Sequence, residues 1–495
     1  MTITAAGTVP EPMAGNTGSF SPGSFSPRSV SPGSPSGAPT RAGAHNGARA
    51  SLLALATLAL AGCSTVDRVS NALTGGPALQ PGQQGYVRGF LGNVAAEEPR
   101  AALVARDILS AGGSAADAAV AAGFTLAVTL PSRAGLGGGG ACLGYDPRRN
   151  EVEAFLFQPA PRAGTPGTNI LRGADRPAAV PMMARGLFAL HARQGRLPFE
   201  TTIAPSERLA RLGTQVSRAL AADLAAVATP LLADPVSRAA FTGQGGAPVG
   251  EGDPLTQPDL ATTLGQLRTA GVGDFHTGGL ARRVEEGSAT AGGFLTVPEL
   301  RAAIPQAVPA VQERLGDDVL AVLPASADNG ATLAAFRAAA AGQSPALPGG
   351  PMGGTTGATT ALVVQDRDGG AVACAFTMNN LFGTGRMVPG MGFLLAAAPN
   401  LGSVQAPPLA AVLVANLSVK AMRYAGAGSG QAAAPAAAGI PAALHMARRA
   451  PLAQAVAAVP EPGRAVAITC QGSVTAAGCS GIADPRGFGL ATGSE

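Results

Sequence analysis

Residues 115–129 have the sequence AADAAVAAGFTLAVT and are apolar at almost every position. A helix that is apolar all round has no polar face to turn towards water, so other elements must cover it on every side. Gly112 and Gly113 end an amphipathic helix predicted for residues 97–111, and Ser114 is suited to cap the buried one. The chain therefore needs several layers of structure, and its 495 residues supply one large or two ordinary domains.

Apolar runs typical of β-strands lie on both sides of a mostly helical region at residues 176–340. The predicted strands cover residues 141–145, 361–364, 371–377, 392–398 and 409–417. His276 lies in a predicted loop, where a single histidine indicates an ordinary surface or core residue rather than a ligand. Strands from both parts of the chain, combined with helices, predict a layered α+β body.

The charged residues and the cysteines exclude several classes of partner. Charged residues make up only 13% of the chain, and the net charge of +4 comes from scattered arginines, so no nucleic-acid surface is expected. The four His and five Cys show no spacing typical of a zinc site, and we expect neither a metal nor another cofactor. The glycine-rich run at residues 135–140 does not fit a phosphate loop, because a strand follows it and no Gly-Lys-Ser/Thr occurs.

The first 84 residues indicate targeting rather than a folded domain. Residues 1–62 are predicted to be a disordered leader and a signal peptide, with an apolar run at 51–61 that is too short to span a bilayer. That run leads into the sequence LAGC, which ends at Cys63 and resembles the bacterial lipobox. We expect lipid attachment at Cys63 and a polar tether over residues 63–84. A short core helix with a chance cysteine is the alternative.

This leader predicts a location in the bacterial cell envelope, where a lipid anchor would hold the chain facing the periplasm. Ser64 rather than an aspartate follows Cys63, which favours the outer membrane. Oxidising conditions there would allow Cys470 and Cys479 to pair, since they are close together on a turn-like segment.

Ordered sequence blocks along the body resemble the gamma-glutamyltransferase family. They are residues 112–121 with the glycine run at 135–140, residues 250–255 with 257–261, the segment from Thr359 to Gly385, and residues 483–486. The resemblance implies a four-layer αββα sandwich of the N-terminal-nucleophile hydrolase type, within the α+β class. It also implies a precursor that cuts itself between Ala358 and Thr359. The large-subunit-like region at 85–358 and the small-subunit-like region at 359–495 would then stay associated as one intertwined catalytic domain.

The nucleophile implied by the resemblance is Thr359. A threonine hydroxyl is a poor nucleophile at neutral pH and needs a base. Cleavage frees the α-amine of Thr359 itself, and an α-amine titrates at about pH 8, so one residue can supply both groups. Without the family blocks, Thr359 and Thr360 would indicate only the start of an ordinary strand.

Two further groups of residues are assigned roles by the same resemblance. Thr377 and Asn379 would orient the nucleophile and the substrate, and their spacing on a predicted strand places both side chains on one face. A small-residue loop containing Gly428, Ser429 and Gly430 would supply backbone donors to an oxyanion. A plain flexible loop is the alternative for the second group.

Several positions that grip the charged ends of the substrate in the family are apolar in this chain. They are Phe157, Ala398, Leu401, Ala410 and Ala411. By the resemblance they replace, in that order, an arginine, an amide, an acid and a pair of serines. A site that has lost its charge partners disfavours a zwitterion, so the sequence predicts an altered substrate pocket and poor activity on glutathione.

Two functions follow as alternatives. The favoured one is a self-processing threonine hydrolase or acyltransferase, which cleaves an amide bond of gamma-glutamyl type in a small amide or peptide through an acyl-enzyme. The other is a catalytically impaired relative retained as an envelope scaffold or binding protein. A self-processing protein with residual glutamyl hydrolysis is a third possibility.

Overall fold

The computed structural model describes residues 91–162, 176–243, 245–345, 358–399, 404–472 and 478–493. The predicted leader, the lipobox with Cys63, the tether over 63–84, and Leu401 lie outside these ranges. No helix within the ranges is both long and apolar enough to cross a membrane.

Antiparallel strands dominate the centre of the molecule. Within the described residues the strands are β1 (Gly92–Ala96), β2 (Gly139–Asp146), β3 (Glu151–Phe157), β4 (Thr214–Gln215), β5 (Pro254–Leu255), β6 (Gln306–Pro309), β7 (Val311–Leu315), β8 (Asp318–Val322), β9 (Thr359–Asp366), β10 (Ala371–Thr377), β11 (Ala410–Asn416), β12 (Ala421–Ser429), β13 (Arg464–Cys470), β14 (Cys479–Ala483) and β15 (Leu490–Gly493). A seven-stranded sheet has the order β15-β1-β9-β10-β2-β3-β6, and a six-stranded sheet has the order β14-β13-β12-β11-β8-β7. Both sheets contain strands from before and after residue 358.

Helices flank the two sheets. They are α1 (Pro99–Ser110), α2 (Ala115–Thr129), α3 (Met183–Gln194), α4 (Phe199–Leu212), α5 (Arg218–Leu231), α6 (Pro235–Phe241), α7 (Pro258–Ala270), α8 (Val272–Thr277), α9 (Gly279–Thr290), α10 (Val297–Ala302), α11 (Ala325–Asp328), α12 (Ala331–Ala340), α13 (Ala434–Ala442) and α14 (Leu452–Ala457). Short 3₁₀ and π segments, Gln431–Ala433 and Ala443–Ala447, precede and follow α13.

The elements form four layers. Every residue of α2 is buried, as its sequence predicts, and this helix packs between α1, α3 and α4 and against the seven-stranded sheet. A second apolar core fills the space between the two sheets, and a third lies between the six-stranded sheet and helices α12 and α13. The predicted αββα sandwich is therefore confirmed.

Several sequence-based boundaries need correction. The helix expected from residue 97 begins at Pro99, with Glu98 as its N-cap. The helical prediction for 176–340 missed the five strands β4 to β8. Residues 392–398 form isolated bridges rather than a strand, because their backbone groups bond to several separate segments. His276 lies in α8 rather than in a loop, and it is fully buried.

Two disulfides cross-link neighbouring strands. Cys470 and Cys479 join β13 to β14, which confirms the pairing expected from the sequence. Cys142 and Cys374 join β2 to β10 with a Cα–Cα distance of 4.1 Å, and the sequence did not predict this second bridge. Both of its cysteines are completely buried in the seven-stranded sheet.

Candidate active site

Thr359 is the first residue of β9 and lies at one end of the seven-stranded sheet. The register places it opposite Thr377 of β10, and Thr377 in turn lies opposite Gly139 of β2. Along β9, Ala361 and Val363 belong to the core between the two sheets. Because side chains alternate along a strand, Thr359 shares their face and lies between the sheets, where it is fully buried.

A backbone donor from the other sheet reaches this hydroxyl. The N–H of Gly430 donates to Thr359 Oγ1 at 3.1 Å. Gly430 has a φ of +107°, and a Cβ at this position would lie 2.7 Å from the carbonyl oxygen of Pro462. Only glycine fits such a position without strain, so the sequence itself fixes the direction of this N–H.

The predicted oxyanion loop is mostly a strand. Residues 426–429 belong to β12, and only Gly430 follows the strand end. Gly428 allows close packing, since a Cβ there would lie 2.3 Å from the carbonyl oxygen of Ala434 in α13. Ser429 donates its hydroxyl to Glu97 at 2.5 Å. The three residues therefore differ in what they can do, and Gly430 alone of the three donates a backbone N–H to Thr359.

Thr377 holds the carbonyl group that precedes the candidate nucleophile. Its hydroxyl donates to the oxygen of Ala358 at 3.0 Å, and the N–H of Met378 donates to the same oxygen at 3.4 Å. The peptide bond between Ala358 and Thr359 thus has a carbonyl polarised by two donors, next to the Thr359 hydroxyl. Such an arrangement favours attack at that carbonyl carbon.

Asn379 is close to Thr377 but does not continue its strand. β10 ends at Thr377, and Asn379 has a left-handed φ of 62°, so the expectation that both share a strand face is wrong. Its N–H donates to Thr377 Oγ1 at 2.8 Å and its Nδ2 to the oxygen of Ala397 at 2.9 Å. The Oδ1 atom is buried, and no described group donates to it.

The sequence analysis missed Glu97, which follows β1 and borders the site. Its N–H bonds to the oxygen of Ala361, so the residue lies beside the start of β9. Burial raises the pKa of the carboxyl group to about 7, although Arg133 and the Ser429 hydroxyl act in the opposite direction. Two glutamates before a proline, Glu97 and Glu98, indicate the start of a helix. The local sequence does not show which of the two caps the helix and which lies beside the site.

A cavity of about 250 Å³ opens beside Gly430. Its walls combine both charge signs with a few apolar groups, and the lining includes Glu97, Arg133, Ser429, Glu461, Arg464, Asp484, Arg486 and Phe488. These residues come from segments far apart in the sequence. The cavity beside Gly430 therefore has charged side chains of both signs in its walls.

The positions at which apolar residues replace polar residues of the family lie in different layers. Phe157 is fully buried in the core on the helix-facing side of the seven-stranded sheet, where it packs on Phe376 and would collide with any side chain at Gly186. Ala410 faces helix α13 and Ala411 faces the space between the sheets.

Two other residues near these positions have structural partners. Ala398 is buried, and its N–H bonds to the oxygen of Pro177. Arg162, close to Phe157 in sequence, is paired with Glu299 at 2.8 Å and with the carbonyl oxygen of Gly293. Its guanidinium group is engaged within the protein.

Comparison with known proteins shows that part of the chain resembles a known family. The sequence model described as gamma-glutamyltranspeptidase matches residues 101–341. Residues 101–341 of the chain thus resemble this family. The glutathione hydrolase proenzyme of Escherichia coli is 31% identical over 226 residues, which cover 44% of this chain and 39% of that protein. Human glutathione hydrolase 7 is 35% identical over 210 residues, which cover 41% of this chain and 31% of that protein. The matches thus span less than two fifths of either relative.

A solved structure resembles most of the chain in its fold. The cephalosporin acylase of Bacillus halodurans has a TM-score of 0.63, and the alignment covers 84% of this chain and 98% of the acylase at 19% identity. At this identity the likeness concerns the fold, and it agrees with the four layers described above. The family match ends at residue 341, so the arguments for Thr359, Thr377 and Gly430 rest on their geometry.

Proposed function

We propose that the chain is a self-processing threonine hydrolase or acyltransferase that acts on amide bonds of gamma-glutamyl type. The observation that carries this proposal is the polarised carbonyl of Ala358 beside the buried hydroxyl of Thr359. The resemblance of residues 101–341 to the family supports the reaction class, since the curated relatives are named glutathione hydrolases.

Self-cleavage would use the uncut chain as its own substrate. Thr359 Oγ1 attacks the carbonyl carbon of Ala358, while Thr377 and Met378 stabilise the negative charge that develops on the oxygen. The C–N bond between the two residues then breaks, and the nitrogen takes up the hydroxyl proton. Water hydrolyses the resulting ester, which leaves a carboxylate on Ala358 and a free α-amine on Thr359.

The same residue would then cleave the substrate. The α-amine, which titrates at about pH 8, accepts the hydroxyl proton as Oγ1 attacks the substrate amide. The acyl group transfers to the oxygen, and the amine leaves with the proton. The N–H of Gly430 already reaches Thr359 Oγ1, so it is close enough to stabilise an oxyanion on the attacked carbon. Water or an amine acceptor releases the acyl group.

A comparison of two neighbouring threonines tests the proposal. We expect the purified natural chain to show two fragments on a reducing gel, with the smaller beginning at Thr359. Thr359→Ala should remain one chain, whereas Thr359→Ser should retain slow cleavage because it keeps a hydroxyl. Thr360→Ala is the matched control, since it removes the neighbouring buried hydroxyl, which interacts with Glu97 and not with the Ala358 carbonyl.

The gel would distinguish this function from the scaffold alternative. Self-processing would be refuted if the natural chain folds but remains intact, with the same single N-terminus as Thr359→Ala. N-terminal sequencing of each band and intact mass spectrometry provide the measurement.

We also propose that the protein is a lipid-anchored envelope protein. Four of its five cysteines form the two disulfides described above, a use of cysteine typical of oxidising compartments. The fifth is Cys63, in the lipobox-like sequence. Mass spectrometry of membrane fractions should find a lipidated Cys63 as the first residue, and an unmodified Cys63 in those fractions would contradict the anchor.

A further inference from the structure

The end of β12 is joined to the opposite sheet by a side chain as well as by the bond to Thr359. Along β12, Ala425 and Ala427 belong to the core between the two sheets. Side chains alternate along a strand, so the buried Ser429 points in the same direction, towards the seven-stranded sheet. There its hydroxyl donates to Glu97 at 2.5 Å. This hydrogen bond therefore crosses from one sheet to the other.

Glu97 is fixed to the seven-stranded sheet through its backbone. It directly follows β1, and its N–H donates to the oxygen of Ala361 in β9 at 3.2 Å. Its second carboxyl oxygen, Oε2, is buried and closed to the cavity, and the Thr360 hydroxyl lies near the carboxyl group. The carboxyl group therefore contacts protein on both sides. It can hold another part of the chain in place, whereas no open side is left for a ligand.

The residue that follows Ser429 is the one that donates to the candidate nucleophile. The ladder between β12 and β13 ends with the pair Ser429 and Arg464, one residue before Gly430. The N–H of Gly430 donates instead to Thr359 Oγ1 at 3.1 Å. That N–H belongs to the peptide group that joins Ser429 to Gly430. A bond that fixes the Ser429 side chain therefore also fixes one end of the peptide group that carries the donor.

The apolar contacts between the sheets near this end come from small side chains. Ala361 and Ala375 contribute from the seven-stranded sheet, and Ala411 and Ala427 contribute from the six-stranded sheet. Each presents a single methyl group, whereas a larger buried side chain such as leucine makes many more contacts. Few interlocking contacts therefore resist a small shift of one strand end against the other. A hydrogen bond between the two sheets has a correspondingly large effect on how these ends align.

We propose that Glu97 and Ser429 form a positioning pair that holds the N–H of Gly430 on the hydroxyl of Thr359. This inference rests on the proposed function, because it explains how the backbone donor stays aligned with the nucleophile of that reaction. Both residues act through Gly430 rather than on the reacting atoms. Breaking their hydrogen bond should therefore slow the chemical step.

Rates of self-cleavage, measured by timed gels after refolding, test the pair. Ser429→Ala and Glu97→Ala should each slow cleavage about tenfold, less than the loss of a whole oxyanion donor, because the N–H is displaced but still present. The double variant should be no slower than either single variant, since both changes break the same bond. Glu97→Gln should cleave within about threefold of the natural rate, because its amide oxygen still accepts from Ser429.

Ser132→Ala is the matched control for a purely structural effect. Ser132 also has a buried hydroxyl that donates to a carboxylate, that of Asp223 at 2.6 Å. This variant should lose a similar amount of stability in urea unfolding but cleave at the natural rate. Equal slowing of Ser132→Ala and Ser429→Ala would overturn the proposal. An unchanged rate in Ser429→Ala, or additive losses in the double variant, would also overturn it.

Hydrogen exchange at Gly430 provides a readout that does not depend on processing. Its N–H should exchange about tenfold faster in Ser429→Ala than in the natural chain, and Ser132→Ala should leave the exchange rate unchanged. Mass spectrometry with fragmentation of the peptide that contains Gly430 provides the measurement. Circular dichroism checks folding, and Ser429→Ala is sufficient for the test even if Glu97→Ala fails to fold.

The two readouts separate the positioning pair from the proposed function. A natural chain that stays uncut but exchanges more slowly at Gly430 than Ser429→Ala would refute the proposed processing and retain the pair. Equal exchange at Gly430 in the natural chain and in both variants would refute the pair, whether or not the chain cleaves itself.

Discussion

The carboxyl group of Glu97 titrates near neutral pH because its surroundings hold little water, and this has a consequence for stability. Burial raises its pKa from 4.5 to about 7 in the folded chain. Between these values the folded protein keeps a proton that the unfolded chain has lost. The free energy of unfolding must therefore fall as the pH rises through this window.

Glu97→Gln should remove that dependence, because the amide does not titrate. Between pH 4.5 and 7 the natural chain should lose on the order of 2 kcal/mol relative to the variant. Urea unfolding of both proteins at several pH values provides the measurement. Two other buried groups titrate in this range: burial raises the pKa of Asp366 to about 6 and lowers the pKa of His276 to about 4. Both groups are present in both proteins, so their effects on the free energy of unfolding cancel to first order in the difference. Parallel curves for the two proteins would show that Glu97 is not the titrating group.

Gly430 offers a second test at the scale of one residue. Alanine there would collide with the oxygen of Pro462 and would move the N–H away from Thr359. We expect Gly430→Ala to slow self-cleavage by roughly a hundredfold, comparable to the loss of one oxyanion donor. Gly472→Ala is the control, since it also has a positive φ but open space around a Cβ. Equal cleavage rates in both variants, measured by timed gels after refolding, would exclude a role for this N–H.

At the scale of elements, the sequence block around Asp117 has a structural role, because this residue connects a helix to a distant loop. Asp117 accepts from the N–H and hydroxyl of Ser114 to close a capping box on α2, and from the N–H groups of Arg196 and Leu197 to fix a distant loop. Burial would raise the pKa of its carboxyl group, but hydrogen bonds from His191 and these N–H groups outweigh it and hold the pKa below its ordinary value.

Removing this acid should therefore unfold more than one element. Asp117→Ala leaves several buried donors unsatisfied, and we expect a loss of about 3 kcal/mol or more in the free energy of unfolding at pH 7. Asp107→Ala, which removes a half-exposed acid of α1 that pairs with the exposed Arg106, should change it by less than about 1 kcal/mol. Guanidinium titrations would measure both, and similar midpoints would contradict the structural role.

The sequence predicted the buried elements well and the exposed ones poorly. Helix α2 and strands β9, β10 and β11 have apolar patterns that only burial explains, so their positions could be predicted. Strands β6 and β7 lie at sheet edges and no residue of either is buried, so they lack the hydrophobic pattern of a core strand. The apolar run at 392–398 is buried without joining a sheet, which a pattern of hydrophobicity cannot distinguish from a strand.

The site residues also divide into those that the sequence could predict and those that it could not. Thr359, Thr377 and Asn379 are close in sequence and could be proposed from a local motif. Glu97 and the charged cavity could not, because they come from chain segments that meet only in the folded layers. Side chains at a few family positions say nothing about charges that other segments bring to the cavity, so the altered substrate pocket stays a prediction.

At the scale of the whole molecule, the two regions are interleaved within each sheet. Strands β9 and β10, which follow residue 358, lie between β1 and β2, and β15 pairs with the outer edge of β1. A cut at residue 358 would therefore leave every ladder of hydrogen bonds in place. The fragments would separate only if both sheets unfolded.

The disulfide between Cys142 and Cys374 gives such a cut an unusual covalent outcome. One cysteine would belong to each fragment, so the product would be a branched molecule with two amino termini and a mass only one water above that of the uncut chain. On a denaturing gel without reductant we expect a single band before and after maturation, and two bands once dithiothreitol is added. Replacing both cysteines by alanine should yield two bands without reductant, whereas the same change at Cys470 and Cys479, which lie in one fragment, should not. Two bands from the natural chain without reductant would show that the bridge is absent. Gels run without reductant would otherwise classify a fully matured protein as an unprocessed one.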